Sequence, residues 1–503
     1  MAQPYAPLIQ QMLLDFKNQR LEPAERLSHS ILRINPKDPI ALQVQGLCMA
    51  MQGRLAESIV PFSKASSLDP KNPELLSNLA KAQHESSHYS DAITTYQKLD
   101  RLIPNNAQIL TDMGTSYAKS KDYESAARCY DRALELQPNY FLAWSNKGNL
   151  LADLQSHNDA ILCFDKALGL NPNYPEAWTN KGNSYFYMGQ LENALQCHNQ
   201  AIQLDPNYAE ALSNCANTLT ALNRNDEAFV ATKRAFEIKP GHPYLLGNVV
   251  AGEMTLCNWQ ASQPLLERLF EDIQSGKPAS IPFHLLSMTP SLELQLQCAQ
   301  IFVRDRVPQL LNSELANYKP AIKDKQAKIR IGYFSSDFRD HPVGILMQNI
   351  VELHNREQFE IYGFFLNQPC GDSIEAKFLK AFDKSFNLFG LTDEEAVELV
   401  RDQNIDIAVD LNAHTANGRI NLFSRVMAPV QVNYLGYAGT TGADFYDYLI
   451  ADEVAIPRNH FDIYTEKIAH LPNSFFPVDS SIPVEGAVEL PTRANQDLPE
   501  NGF

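Results

Sequence analysis

Ile405-Asp-Ile-Ala-Val-Asp410-Leu-Asn-Ala-His414-Thr415-Ala-Asn417-Gly418-Arg419 is followed, after a short amphipathic run, by Pro429-Val-Gln-Val-Asn-Tyr-Leu435-Gly436-Tyr437-Ala438-Gly439-Thr440-Thr441-Gly442-Ala-Asp444. Residues 405–411 and 430–435 are β-branched, apolar runs, each giving way to small and polar residues. Residues 419–426 between them have helical spacing. The pattern predicts strand, loop, helix, strand, loop, which is one βαβ unit. Ligands of open parallel sheets sit beyond the carboxyl ends of the strands, and His414, Thr415 and the glycine-rich loop fall there.

Working outward, strand and helix alternate from residue 328. The sequence predicts strands over 328–334, 359–366, 448–451 and 467–471, and helices over 343–353 and 393–401, the latter capped by Thr392. The alternation argues for a parallel, doubly wound sheet. Neither a GxGxxG nor a Walker A sequence is present, which disfavours a standard dinucleotide or P-loop site. Three polar loops, 335–341, 412–418 and 436–442, follow three of the strands. Their N–H groups suit a diphosphate. His341 and His414 are candidates to donate to phosphate oxygens or to move a proton near neutral pH.

The first half of the chain is periodic. Pro36, Pro70, Pro104, Pro138, Pro172, Pro206 and Pro240 stand 34 residues apart. One unit carries Trp144, Gly148, Leu151, Ala160, Phe164, Ala167 and Pro172, and the next Trp178, Gly182, Tyr185, Ala194, Ala201 and Pro206. The expected element is a helical hairpin: small residues let the helices approach, Trp144 and Phe164 fill the space between them, and proline stops the second helix. This resembles the tetratricopeptide repeat, with a poorly matching terminal unit at residues 5–38 as a cap. A second ladder runs through Asn78, Asp112, Asn146, Asn180, Asn214 and Asn248, again 34 apart. Carboxamides offer donors and acceptors, so a row of them in a groove suits an extended peptide of any sequence. The period fades after Asn248. Residues 265–273 and 292–303 read as helices of a connector, and 312–326 as a polar linker.

Composition narrows the function. A formal net charge of −17 disfavours nucleic acid and anionic membranes as partners. No 18-residue apolar run predicts a membrane span, and the first residues carry no signal-peptide pattern. The eight cysteines lack a CxxC pair, and Cys129, Cys163 and Cys197 share one repeat position. They read as packing residues in a reducing, cytoplasmic compartment rather than as disulfides or metal ligands.

Ile331-Gly-Tyr-Phe-Ser-Ser-Asp-Phe-Arg-Asp-His341-Pro342, Asp410-Leu-Asn-Ala-His414-Thr415-Ala-Asn417, Ala428-Pro429-Val430-Gln431-Val432, Leu435-Gly436-Tyr437-Ala438-Gly439-Thr440-Thr441-Gly442, Asp447-Tyr448 and Leu471-Pro472 resemble, in order and spacing, blocks of the O-linked N-acetylglucosamine transferase family. The asparagine ladder and the repeats fit the same family. The resemblance implies a tetratricopeptide superhelix followed by a Rossmann-like lobe, the first half of a glycosyltransferase B arrangement. It implies UDP-N-acetylglucosamine as donor, protein Ser or Thr hydroxyls as acceptors, and no metal or other cofactor. It places His341 at the active site and Thr415 and the Leu435-Gly436 turn against the donor; His414, Tyr437 and Thr440 of the same loops join them as donor-binding candidates. The Spindly branch shares these motifs and is similar to a fucosyltransferase using a GDP-sugar, so the donor stays open, as does a non-catalytic repeat scaffold. Ala438 departs from the family, where many relatives have proline. The resulting organisation is a repeat array over 1–250, a helical connector over 251–327, a first lobe over 328–490, and the start of a second lobe over 491–503. On that division residues 1–503 alone are expected to bind peptide but to show no transfer.

Overall fold

A computed structural model describes residues 5–307 and 327–477; the expected linker at 312–326 and second-lobe start at 491–503 lie outside the described residues. The chain divides into two compact units, residues 1–235 and 236–503.

The first unit is a solenoid of helical hairpins, from Ala6–Lys17 with Leu21–Ile34 to Ala209–Ala221 with Asn225–Ile238. The turn inside each hairpin is made by one residue in the left-handed region. Gln19, Gly53, Ser87, Lys121, Gln155, Gly189 and Asn223 fill it, 34 residues apart, with φ between 58° and 79°. Most are not glycine, so sequence inspection passes over a backbone rule that every hairpin obeys. Within a hairpin, the small residue of the first helix receives a ring from the second. A Cβ on Gly46 would come within 2.6 Å of Phe62, one on Gly114 within 2.8 Å of Tyr130, and one on Gly148 within 2.7 Å of Phe164. Phe164 is fully buried and has nowhere to move. Gly148→Leu is therefore expected to destabilise the array by about 1–3 kcal/mol through overpacking, read as a lower urea midpoint.

Trp144 corrects an expectation. It belongs to the core that holds Cys129, Ala133 and Leu134 of the preceding hairpin rather than to the core around Phe164, and its indole N–H donates to the Pro138 carbonyl at 2.9 Å. Trp178 repeats the contact on Pro172 at 3.0 Å. The tryptophan thus fastens the proline linker between hairpins. Cys129, Cys163 and Cys197 are buried and unpaired, as their repeat position implied.

His198 stands where other hairpins have Phe62, Tyr130 or Phe164, against Gly182. It is fully buried, both ring nitrogens lack a partner, and burial holds its pKa down to about 4. The folded state therefore binds this proton less readily than the unfolded chain does. Stability should fall as pH drops from about 6.5 towards 4, by up to about 3 kcal/mol from this ring. His198→Phe should remove that acid lability and raise stability at pH 7 by about 1–3 kcal/mol, since two unpaired polar atoms disappear. Urea unfolding of both proteins at pH 7 and pH 5 measures the difference.

The second unit opens on another hairpin, Leu245–Thr255 with Trp259–Gln274, turned at Cys257 with φ 56°. The turn keeps the 34-residue step from Asn223 after the sequence period has faded. An array boundary at 250 falls inside helix Leu245–Thr255, whose Leu246 and Val250 share a core with Leu269, Ile273, Leu294, Cys298 and Ile301.

Seven parallel strands follow: β1 (Ile329–Ser335), β2 (Phe359–Phe365), β3 (Lys384–Asn387), β4 (Ile407–Asp410), β5 (Val430–Tyr434), β6 (Tyr448–Ala451) and β7 (Lys467–His470). Their order is β3-β2-β1-β4-β5-β6-β7, the Rossmann-like pattern expected. Side chains alternate between two covered faces. Phe334, Phe364 and Ala408 meet helix Asp393–Asp402, while Tyr333, Ile361, Val409 and Val432 meet helix Pro342–Leu353. Thr392 and Glu395 close the predicted cap as a reciprocal capping box. Helix Ser373–Ala381 and strand β3 lacked a clear periodic signal; β3 is four mostly exposed residues. The helix read over 419–426 shortens to Ile420–Phe423.

Candidate functional site

The sheet reverses direction of growth between β1 and β4, and the loops after β1, β4 and β5 all leave from carboxyl ends on that side. Asn412 joins the first two. Its Oδ1 accepts from the Ser336 N–H at 2.8 Å, and its Nδ2 lies 2.9 Å from Ser336 Oγ, 2.8 Å from Asp337 Oδ2 and 3.0 Å from Thr415 Oγ1. Asp410, fully buried, accepts from the N–H groups of Asn412 and Ala413 at 2.9 and 3.0 Å and from the Tyr446 hydroxyl at 2.5 Å. Burial pushes the Asp410 carboxyl pKa up, and these three donors oppose the shift. Asp410 thereby holds Ala413 at φ 45°. Leu435, at φ 68°, begins the loop after β5 in the same region. A non-glycine residue there costs about 1–2 kcal/mol, and such outliers gather at functional sites.

The predicted site residues separate into two sets. His341, Thr415, Leu435 and Gly436 are at least partly exposed on these loops. His341 caps helix Pro342–Leu353: its Nδ1 accepts from the Val343 N–H at 3.3 Å and lies 3.8 Å from Asp337 Oδ2. With Nδ1 accepting, Nε2 carries the proton of the neutral ring, so this tautomer offers a donor rather than a base. His414, Tyr437 and Thr440 are buried. His414 donates Nε2–H to the Thr441 carbonyl at 2.7 Å, and burial holds its pKa down to about 4. A buried, neutral imidazole with its N–H committed does not move protons near pH 7, which corrects the expectation for His414. Tyr437 lies beneath its own loop, its hydroxyl 2.8 Å from where a Gly439 Cβ would stand. The Thr440 hydroxyl donates to buried Glu466 at 2.8 Å, and the Thr441 N–H donates to the same carboxylate at 2.6 Å. These three residues build the loop and leave its surface to Leu435 and Gly436.

Asp337, Asp410, Asn412 and Glu466 escaped the sequence reading. Asp410 and Asn412 had a signal, a polar residue closing an apolar strand. Glu466 had none, since its partners are 25 and 26 residues away.

The ladder residues Asn78, Asp112, Asn146, Asn180, Asn214 and Asn248 are all half-buried on first helices of hairpins, Asn248 in the second unit. Two of them reach the preceding hairpin: Asn146 Nδ2 donates to Thr115 Oγ1 at 3.2 Å and Asn180 Nδ2 to Asn149 Oδ1 at 2.9 Å. Burial pushes the Asp112 carboxyl pKa up, towards the neutral form that resembles its carboxamide neighbours. Asn146, Asn180 and Asn214 replaced together by Ala should weaken peptide binding. The inter-hairpin bonds add a stability loss of about 0.5–1.5 kcal/mol each, so melting and peptide titration are both needed.

Among the described residues, no helix is long and apolar enough to cross a membrane. Glycosyl transferase family 41 matches residues 292–484, and tetratricopeptide repeat families match residues 111–175 and 175–208. The chain is 28% identical over 264 residues to the probable UDP-N-acetylglucosamine--peptide N-acetylglucosaminyltransferase SEC of Arabidopsis thaliana, covering 49% of this chain and 27% of that protein. It is 35% identical over 150 residues to the UDP-N-acetylglucosamine--peptide N-acetylglucosaminyltransferase of Caenorhabditis elegans, covering 30% and 13%. A solved O-GlcNAc transferase mutant of Thermobaculum terrenum aligns at 23% identity and TM-score 0.37 over 76% of this chain and 60% of that one. A repeat array followed by a parallel sheet with a family 41 sequence defines a repeat-bearing glycosyltransferase region. Residues 292–484 carry the family 41 sequence, and the chain is similar to the O-GlcNAc transferase and Spindly-like proteins with N-terminal tetratricopeptide repeats. Its matches span about a quarter or less of these two curated relatives.

Proposed function

We infer that this chain serves protein O-glycosylation, transferring N-acetylglucosamine from UDP-N-acetylglucosamine to Ser or Thr hydroxyls of proteins held by the repeats. The reading is carried by the partly exposed His341, Thr415, Leu435 and Gly436 on three loops around the sheet's switch point, within the stretch that matches family 41. In the reaction the acceptor oxygen bonds to the anomeric carbon as the bond from that carbon to the diphosphate oxygen breaks, and the hydroxyl proton passes to the departing diphosphate or to solvent. Negative charge grows on the departing phosphate, which the remaining N–H groups of loops 412–418 and 435–442 would stabilise. His341 Nε2–H adds a further donor at the reacting centre. No metal ion takes part in this reading.

The test is transfer from UDP-N-acetylglucosamine to a Ser/Thr-rich peptide by residues 1–503, alone and mixed with a second family 41 lobe, with GDP-fucose as a parallel donor. Transfer of N-acetylglucosamine in either arm supports the reading. Transfer from GDP-fucose alone assigns the Spindly-type donor. Absence of transfer and of donor binding in every arm overturns it and leaves a repeat scaffold.

A further inference from the structure

Helix Leu292–Arg306 touches three parts of the second unit at once. Leu294, Cys298 and Ile301 enter the core of the hairpin Leu245–Gln274, and Val303 and Val307 enter the sheet-face core around Phe334 and Ala396. Between them the helix meets the loops of the candidate site. A Cβ on Gly442 would lie 2.6 Å from the Gln300 backbone nitrogen and 2.8 Å from Ala299. The Phe302 ring stands 5.2 Å from the His414 ring at 82°, and His414 stands 5.0 Å from Tyr437 at 89°. On its far side Phe302 meets Tyr244 at 5.7 Å, and Arg306 lies 4.7 Å over the Tyr244 ring.

His414 is the tie between two loops, because its Nε2–H reaches the Thr441 carbonyl while its own backbone belongs to the loop after β4. Its Nδ1 is buried without a partner, so no second hydrogen bond fixes the ring plane. The orientation is left to the Phe302 and Tyr437 rings, each nearly perpendicular to it, a T-shaped geometry that is favourable beyond its buried area. We propose that Phe302 is a positioning residue that sets loops 412–418 and 435–442 relative to each other through His414, and so shapes the donor side of the site. The donor part of this statement rests on the proposed function. Without the ring, His414 gains room to rotate, the Thr441 carbonyl loses its donor, and Thr415 and Leu435 lose their fixed spacing.

Phe302→Leu and Phe302→Tyr separate the ring from mere apolar bulk. Full-length protein labelled at histidine nitrogen reports the His414 tautomer directly, and backbone amide exchange over 435–442 reports the loop. Wild type and Phe302→Tyr should keep the Nε2–H form down to pH 5, with slow exchange. Phe302→Leu should titrate nearer the ordinary 6.5 and exchange at least tenfold faster. UDP-N-acetylglucosamine affinity, measured by calorimetry, should fall tenfold or more in Phe302→Leu and stay within twofold in Phe302→Tyr. An unchanged His414 signal and loop exchange in Phe302→Leu overturn the proposal, as does equal loss in both variants. A wild type that binds no UDP-N-acetylglucosamine, alone or mixed with a second family 41 lobe, overturns the proposed donor instead, and the histidine and exchange measurements still decide the role of Phe302.

Discussion

Replacing His341 by alanine is expected to cut transfer of N-acetylglucosamine by two or more orders of magnitude, the loss typical of a positioned proton-transfer or donor group. Alanine also removes the cap of helix Pro342–Leu353, because Nδ1 no longer accepts from Val343. That alone costs about 0.5–2 kcal/mol of stability. His341→Asn resolves the two effects. Asparagine is a good cap and keeps a side-chain N–H donor, yet it has no basic nitrogen. If His341 orients the donor through Nε2–H, Asn should restore stability and part of the turnover. If His341 takes the hydroxyl proton, Asn should restore stability alone. The comparison uses initial rates in whichever arm of the transfer assay turns over, with a thermal melt of each variant. Wild-type turnover by His341→Ala removes this residue from the mechanism.

The elements legible in the sequence were those with a period. The proline ladder fixed the hairpins, and the βαβ run at 405–435 fixed a parallel sheet. What stayed hidden has a common physical character. The left-handed turn residues Gln19, Ser87, Lys121, Gln155 and Cys257 share a backbone conformation but no side-chain chemistry. Strand β3 pairs along one edge of the sheet and needs little apolar content. In the site, the sequence identified the loops but not the direction of their side chains. His414, Tyr437 and Thr440 look like ligand-facing polar residues on paper. The structure turns them inward because Thr441 and Glu466 offer partners, and Phe302 a perpendicular ring, from elsewhere in the chain.

Gly436→Ala should destabilise the α/β region by at least the upper end of the about 1–3 kcal/mol range for overpacking. A Cβ at this position would stand 1.8 Å from the Leu411 carbonyl oxygen and 2.8 Å from its carbon. That neighbour is backbone, so no rotamer change relieves the contact. The Leu411 N–H bonds the Phe334 carbonyl at 3.0 Å, its side chain is fully buried, and Asp410 fixes the next two N–H groups. On the other side the Gly436 N–H bonds the Tyr434 carbonyl at 2.9 Å. Gly371 supplies the contrast. Its φ of 71° favours glycine, yet nothing lies within 4 Å of its Cβ position, so Gly371→Ala should cost about 1–2 kcal/mol from conformation alone. Trp144, Trp178 and Trp259 all lie outside the sheet, so fluorescence would miss the effect. Hydrogen exchange of peptides covering 405–411 and 430–435 reads it directly. Gly436→Ala should lose protection in both strands and Gly371→Ala in neither. Wild-type protection in Gly436→Ala would show that the loops after β4 and β5 have room to part. Loss confined to that variant means the two loops come together only across a glycine at 436, and any donor bound there meets a surface set by that contact.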